Sequence, residues 1–461
     1  MALTCRISTV SRIVTSTLTQ RLLRMAGGDN ARARIIRGAF GSAGIRLLNR
    51  LLIFVLGVVL ARGLGAQGYG IYAYAFAIMT LLMVLAEAGM PRLLLREASA
   101  AMALTDGAVL QGVLRRTRQI VAATATGVSV VGLLGLLALG PANDPAVLYT
   151  TGLMLLLLPA AALTKLIAYG MVGLNHVVIG KASELLVRPI IVLVLVSTGF
   201  LIWPHLREPQ YAMAAQLFAG VFGLLVGASI LNSLVPISAK TRSPEYRDRA
   251  WLKSAGPFML IGGAGVVNGH ADMIMLGWFG EPEEVGVYRV AVQGAALVAF
   301  GLHAVNPIIA PEFSRLYAQS NIKQLQRVVT ASARAILVAA LPVVLLFTLY
   351  GTAIVSWVFG SEYTDADMPL VILSVAQLIN AGYGSVGLLM TMTGHENDAA
   401  RTMWTTASIN IVLNAILIPW LGMNGAALAS AISLIVWNAV LFRKVRTNLN
   451  ISSTAFGRVH D

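Results

Sequence analysis

Eight charged side chains sit inside otherwise apolar stretches of this chain: Arg46, Arg50, Glu87, Lys165, Glu184, Arg188, Asp272 and Arg289. A charge is expensive inside a membrane, so each is a candidate functional residue. Arginine binds compact anions best, because its planar fork donates paired hydrogen bonds. An isolated carboxylate suits a different task, the exchange of a proton or cation that couples transport to a gradient. Counting from the helix–helix turns at about 1.5 Å per residue pairs three sets by depth: Arg50 with Glu87, Lys165 with Glu184, and Asp272 with Arg289. Each pair could equally be a structural ion pair. Arg46 and Arg188 have no evident partner, and Arg46 could simply snorkel to the interface. His270 and His303 read more simply as hydrogen-bonded packing residues.

No other chemistry emerges. The six histidines lack metal-ligand spacing. There is no nucleophile–base set, no dinucleotide fingerprint and no paired carboxylates in a water-accessible site. Ile261-Gly262-Gly263-Ala264-Gly265 resembles a phosphate cradle, but no strand precedes it and no Walker lysine follows. Helix packing explains it better, as it does Gly265-x-x-x-Gly269 and Gly223-x-x-x-Gly227. The chain is expected not to be an enzyme and to need no cofactor.

The elements that position these charges are membrane helices. Hydrophobic residues make up 57% of the chain, charged ones 12%, and mean hydropathy is +0.77; a soluble domain carries about a quarter charged residues. Twelve stretches meet the length a bilayer core requires: 45–64, 71–90, 120–139, 147–169, 185–202, 212–235, 255–279, 286–309, 336–357, 368–392, 403–421 and 425–442. Pro159, Pro342 and Pro419 could hinge these helices or merely kink them. The single cysteine, Cys5, excludes an internal disulfide.

The net charge of +14 reflects loops on one side rather than nucleic-acid binding. Clusters such as Arg115, Arg116 and Arg118, or Lys240 through Lys253, alternate with acidic loops such as 281–284 and 361–367. Both termini are therefore expected in the cytoplasm. The arginine-rich residues 1–40 resemble a transit peptide in composition, but a basic tail on anionic lipid explains them better.

The chain also repeats itself. Leu60, Gly70, Tyr72 and Pro91 fall on Leu276, Gly286, Tyr288 and Pro307 at a constant offset of 216 residues. A second echo, of 173–176 in 394–397, has an offset of 221. The expected organisation is a basic tail (1–40), a six-helix bundle (41–235), a cytoplasmic linker (236–254), a second bundle (255–446) and a C-terminal tail (447–461). The two halves form a parallel repeat.

Arg62-Gly63-Leu64-Gly65, then Gly68-Tyr69-Gly70-Ile71-Tyr72, then the pattern from Gly89 to Glu97 resemble the polysaccharide-synthesis, Wzx-like branch of the multidrug/oligosaccharidyl-lipid/polysaccharide (MOP) flippase superfamily. The likeness runs from about residue 38 to residue 446. It implies an all-α polytopic fold and a flippase for polyprenyl-pyrophosphate-linked oligosaccharide in surface polysaccharide (O-antigen or exopolysaccharide) synthesis. Its setting would be a bacterial cytoplasmic membrane, with membrane lipids and polysaccharide polymerase or export machinery as partners. On this reading Arg46, Arg50, Lys165, Arg188 and Arg289 bind pyrophosphate, while Glu87, Glu184 and Asp272 serve coupling. Arg50, Lys165 and Arg188 count to the cytoplasmic half, and Arg289 nearer the outside. The alternatives are a multidrug cation exporter of the same superfamily, which should have an acidic cavity, and a polytopic glycan polymerase or ligase.

Overall fold

The structure is a computed structural model that describes residues 31–138 and 144–457. Most of the basic tail and much of the 141–146 loop lie outside them. The chain is a polytopic bundle of α-helices. The first half comprises α1 (Ala31–Glu87), α2 (Met90–Ala103), α3 (Gly107–Ala138), α4 (Pro145–Gly173), α5 (Val177–Ala182), α6 (Arg188–Ile202) and α7 (Pro209–Leu234). A short helix, α8 (Ile237–Lys240), lies in the connection. The second half comprises α9 (Asp248–Phe279), α10 (Pro282–Val298), α11 (Phe300–Ala318), α12 (Ile322–Val358), α13 (Asp367–Tyr383), α14 (Val386–Met392) and α15 (Glu396–Leu449). Eight helices among the described residues are long and apolar enough to cross a membrane. Two bent pairs, α10 with α11 and the 361–383 segment with α14, also qualify when each is taken together.

Two helices are too long for one crossing. α1 breaks at Gly65 (φ 69°, ψ 174°) and α15 at Gly422 (φ 55°, ψ −134°). A side chain is disfavoured in either conformation, so glycine marks both breaks. The helical run begins at Ala31, inside the segment assigned above to the tail. At the other terminus the described part of the C-terminal tail packs back on the bundle. Ser452 exchanges hydrogen bonds with the Gln326 side chain, its N–H donating at 2.7 Å and its carbonyl accepting at 2.6 Å. Ala455 N–H donates to the Gly382 carbonyl at 2.9 Å.

Four turns at the basic end share one construction. Thr105, Asn175, Ser320 and Gly394 all have positive φ. The next residue in each donates its N–H to a carbonyl five residues back, at 2.9–3.0 Å. This is the Schellman closure of a helix C-terminus. Asp106 then accepts from Val109 N–H and Asn321 from Gln324 N–H, both at 3.1 Å. These turns relate the halves at offsets of 215 and 219 residues. The second value corrects the 221 expected above, since residue identities there are too sparse to fix the register.

The halves meet most closely at the acidic end. Gly70 and Gly286, partners in the repeat, cross there. A Cβ on Gly70 would lie 1.6 Å from the Pro282 carbonyl oxygen, and one on Gly286 would lie 2.1 Å from that of Ala66. Only glycine permits this approach. Around the crossing, Arg62 Nε donates to the Val358 carbonyl at 2.8 Å and Arg62 also donates to that of Trp357. Tyr363 hydroxyl donates to the Ala61 carbonyl at 2.8 Å. Glu362 accepts from Ala66 N–H at 3.1 Å, which satisfies an orphan donor where α1 restarts after Gly65. Of the expected glycine packing pairs, Gly227 does pack, with Ile167 and Ser183 at 3.4 Å from a Cβ placed there. Gly265 and Gly269 have no neighbour within 4 Å of such an atom, so that motif is not a helix contact in this structure.

Candidate functional site: a cationic cavity between the halves

A central chamber of 260 Å³ lies between the halves, below the glycine crossing. Its polar lining includes Asn49, Tyr69, Tyr72, Glu184, Arg188, Gln216, His270, Arg289 and Gln293. It adjoins a 580 Å³ space that also carries Arg46, Arg50 and Lys181, and a 250 Å³ chamber that carries Glu87, Arg92 and Lys165.

Arg188 is placed by a helix irregularity. Ser183–Val187 form a π-helical turn immediately before it. Pro189 follows Arg188, and proline has no N–H for the carbonyl four residues back. Such bulges re-aim side chains at functional sites. Arg188 Nε donates to Gln216 Oε1 at 2.7 Å, and Gln216 Nε2 donates to the Tyr72 hydroxyl at 2.7 Å. The guanidinium lies 5.4 Å from the centre of the Phe76 ring. The terminal amino groups of Arg188 take no hydrogen-bond partner among the described residues. Arg289 comes from the opposite half and lies against the Tyr69 hydroxyl. Tyr69 in turn donates to Gln293 Oε1 at 3.1 Å, and Gln293 Nε2 donates to the Phe54 carbonyl at 2.7 Å. Arg188 and Arg289 thus face one chamber, although counting from the turns had set them at different depths.

The expected ion pairs are exchanged. Lys165 binds Glu87 at 2.7 Å rather than Glu184. Glu184 instead pairs with Lys181 at 2.6 Å, and Lys181 also lies 4.6 Å from the Tyr169 ring centre. Arg50 does not pair with Glu87; it faces the space shared with Arg46. Asp272 does not pair with Arg289. It accepts from Tyr288 hydroxyl at 2.6 Å and from Ser430 Oγ at 3.0 Å, and is buried in the second half. Asn410 and Asn414, also buried, extend that polar cluster. Depth alone could not make these assignments, because it leaves the rotation of each helix undetermined. As a result Arg46, Arg50, Arg188 and Arg289 have no carboxylate partner among the described residues, whereas both cavity acids on the first half are neutralised by lysines.

Sequence reasoning missed Gln216, Gln293, Tyr69 and Asn49. Uncharged polar side chains give no depth or charge signal. Tyr72 was visible only as one member of the repeat. His270, read above as a packing residue, lines the chamber, and its Nδ1 is buried without a hydrogen-bond partner among the described residues.

Residues 35–317, more than half of the chain, match the family described as "Polysaccharide biosynthesis protein". The chain belongs to that family. It is 26% identical over 224 residues to the probable low-salt glycan biosynthesis flippase of Haloferax volcanii, covering 48% of this chain and 47% of that one. A second Haloferax volcanii protein, a probable flippase, is 27% identical over 175 residues, 37% of each chain. These matches span about half the length of the curated relatives or less. The fold is similar to an inward-facing multidrug resistance MATE family transporter of the MOP superfamily (TM-score 0.74, 16% identity, 89% of this chain and 98% of that one). It is also similar to the lipid II flippase MurJ in an inward closed conformation (TM-score 0.69, 14% identity, 88% and 87%). At these identities the likeness concerns the fold, which is that of polytopic transporters.

Proposed function

We propose that this protein is a flippase that carries a polyprenyl-pyrophosphate-linked oligosaccharide across a cytoplasmic membrane by alternating access. One observation carries the reading: Arg188 and Arg289, from opposite halves and without carboxylate partners among the described residues, line one chamber. A pyrophosphate entering a low-dielectric cavity needs fixed cations to offset its desolvation. Arg46 and Arg50 line the approach from the basic end. Lys165 and Lys181 are engaged by Glu87 and Glu184, so they hold the wall together rather than clamp the ligand.

The basic end is taken as cytoplasmic, with both termini there. Counting α1 and α15 as two spans each, across their glycine breaks, gives twelve spans, six per half, in the parallel arrangement. The Asp272 cluster is the coupling site, since its carboxylate is buried, hydrogen-bonded and without a salt-bridge partner among the described residues. The names of the glycan flippases among the relatives support the substrate class, and a polymerase or export complex would take the product. A drug-cation exporter of the same fold would need unpaired acids in the cavity, and Glu87 and Glu184 are paired. Cells lacking the protein should accumulate the lipid-linked glycan on the cytoplasmic leaflet. Normal delivery of glycan to the outer face in such cells would reject the proposal.

A further inference from the structure

Two spaces flank the arginine pair, and they differ in chemistry. One is the 580 Å³ space, which shares Arg289 and Gln293 with the central chamber and also carries Arg46, Arg50 and Lys181. The other is the 250 Å³ chamber between the second part of α1 and α9. It shares Phe76 and Arg188 with the central chamber, so the two adjoin at the guanidinium. Towards the basic end Gly89 packs against α9, where an added Cβ would lie 2.2 Å from the Ala255 carbonyl oxygen.

We propose that this chamber seats the first sugar of the lipid-linked glycan, an uncharged pyranose. The proposal rests on the reading that Arg188 and Arg289 hold the pyrophosphate. A sugar bonded directly to that pyrophosphate must lie within one residue's length of Arg188; this chamber is lined by Arg188 itself, whereas the 580 Å³ space is not and is lined by four other cations, Arg46, Arg50, Lys181 and Arg289. Its wall carries the Glu87–Lys165 pair at 2.7 Å. A carboxylate has about four acceptor sites and an ammonium three donors, so the pair retains capacity for sugar hydroxyls. Its charges cancel, which favours hydroxyl groups over a second anion. The remaining cation of the lining besides Arg188 is Arg92, which is exposed at the rim, where water and salt screen it. Phe76, Tyr169 and Phe258 add aromatic surface to the lining, each with a cation over one face (Arg188, Lys181 and Arg96). A few polar groups set among apolar and aromatic walls is the usual make-up of a small-molecule site.

Gly262 on α9 lines this chamber, and a Cβ there would meet nothing within 4 Å. Leucine at this position starts from a Cβ with open space around it and adds bulk at the chamber wall, and it is a better helix former than glycine. Gly265 lies on the same helix, outside the lining, with equally open space around it. The test is binding of two probes to the purified full chain in lipid nanodiscs: a bare polyprenyl pyrophosphate, and the same lipid carrying one N-acetylhexosamine. The sugar should tighten binding to the wild type about tenfold, the effect of two additional net hydrogen bonds. Gly262→Leu should remove that gain and leave the bare lipid bound as in the wild type, while Gly265→Leu should retain it. A gain that survives Gly262→Leu, or no gain in the wild type, overturns the sugar site. So does equal weakening of both lipids. Tighter binding of a lipid bearing a hexuronic acid overturns the assignment to an uncharged sugar. If the bare lipid fails to bind the wild type, the pyrophosphate reading itself fails, a result distinct from the others.

Discussion

Arg188 is the residue on which the chemistry of the cavity converges. Its Nε is fixed by Gln216, which leaves the terminal amino groups for a ligand. Arg188→Ala should weaken binding of polyprenyl pyrophosphate by roughly 10- to 100-fold, because hydrogen bonds to charged groups are worth about 1.5–3 kcal/mol. Arg188→Lys should recover only part of this, since the charge returns without the fork. Equilibrium binding in nanodiscs checks both, and full recovery by lysine would show that charge alone suffices. Asp272→Asn should abolish the dependence of transport on an imposed ion gradient while the protein still reaches the membrane. Adding Arg289→Gln should not restore it, because the two residues form no ion pair; restoration in a flux assay would mean that they act as a structural pair after all. The residue types were legible in the sequence, since an arginine or aspartate inside an apolar run announces itself. Their partners were not. Lys165 chooses Glu87 over Glu184 because of how α1, α4 and the π-helical turn are rotated against one another, and a single sequence carries no signal for rotation.

The helix breaks and crossings explain how the halves are joined at one end. Gly70→Ala or Gly286→Ala would force a methyl group into a backbone carbonyl at the crossing, and overpacking of this kind costs about 1–3 kcal/mol. Because the clash exists only while the acidic end is closed, either variant should shift the population towards an open acidic end. A cysteine introduced at Gln293 in a protein lacking Cys5 reports this. It should label faster from the acidic side in the alanine variants than in the parent, and unchanged labelling would place the gate elsewhere. The glycine-rich turn was readable from composition, and the constant offset already linked Gly70 to Gly286. That the two glycines would touch was not readable, because a repeat says which positions are equivalent and not where its axis passes. The bulge at Ser183–Val187 has one sequence signal, the missing hydrogen-bond donor of Pro189 beside the arginine.

At the scale of the whole molecule, two similar halves meet at the acidic end and flank a cationic cavity. This requires that the two ends lie on opposite sides of the membrane. A reporter at Lys240 should face the cytoplasm and one at Glu283 the outside; a cytoplasmic Glu283 would break both the span count and the parallel repeat. Architecture was the most legible level, since apolar length and loop charge dictate it almost without reference to packing. The cavity was the least legible: its polar lining includes Gln216 and Gln293, which do not stand out in a membrane sequence, and Tyr69 and Tyr72, which stand out only as motif or repeat positions. The most direct test of the central claim is transport by the purified protein in liposomes. A fluorescent polyprenyl-pyrophosphate-linked oligosaccharide should cross to the far leaflet with the wild-type protein and fail to cross with the Arg188→Ala/Arg289→Ala variant, while a lipophilic drug cation should not be moved by either. Transport of the cation without movement of the lipid-linked glycan, or glycan transport undiminished in the double variant, would contradict the account.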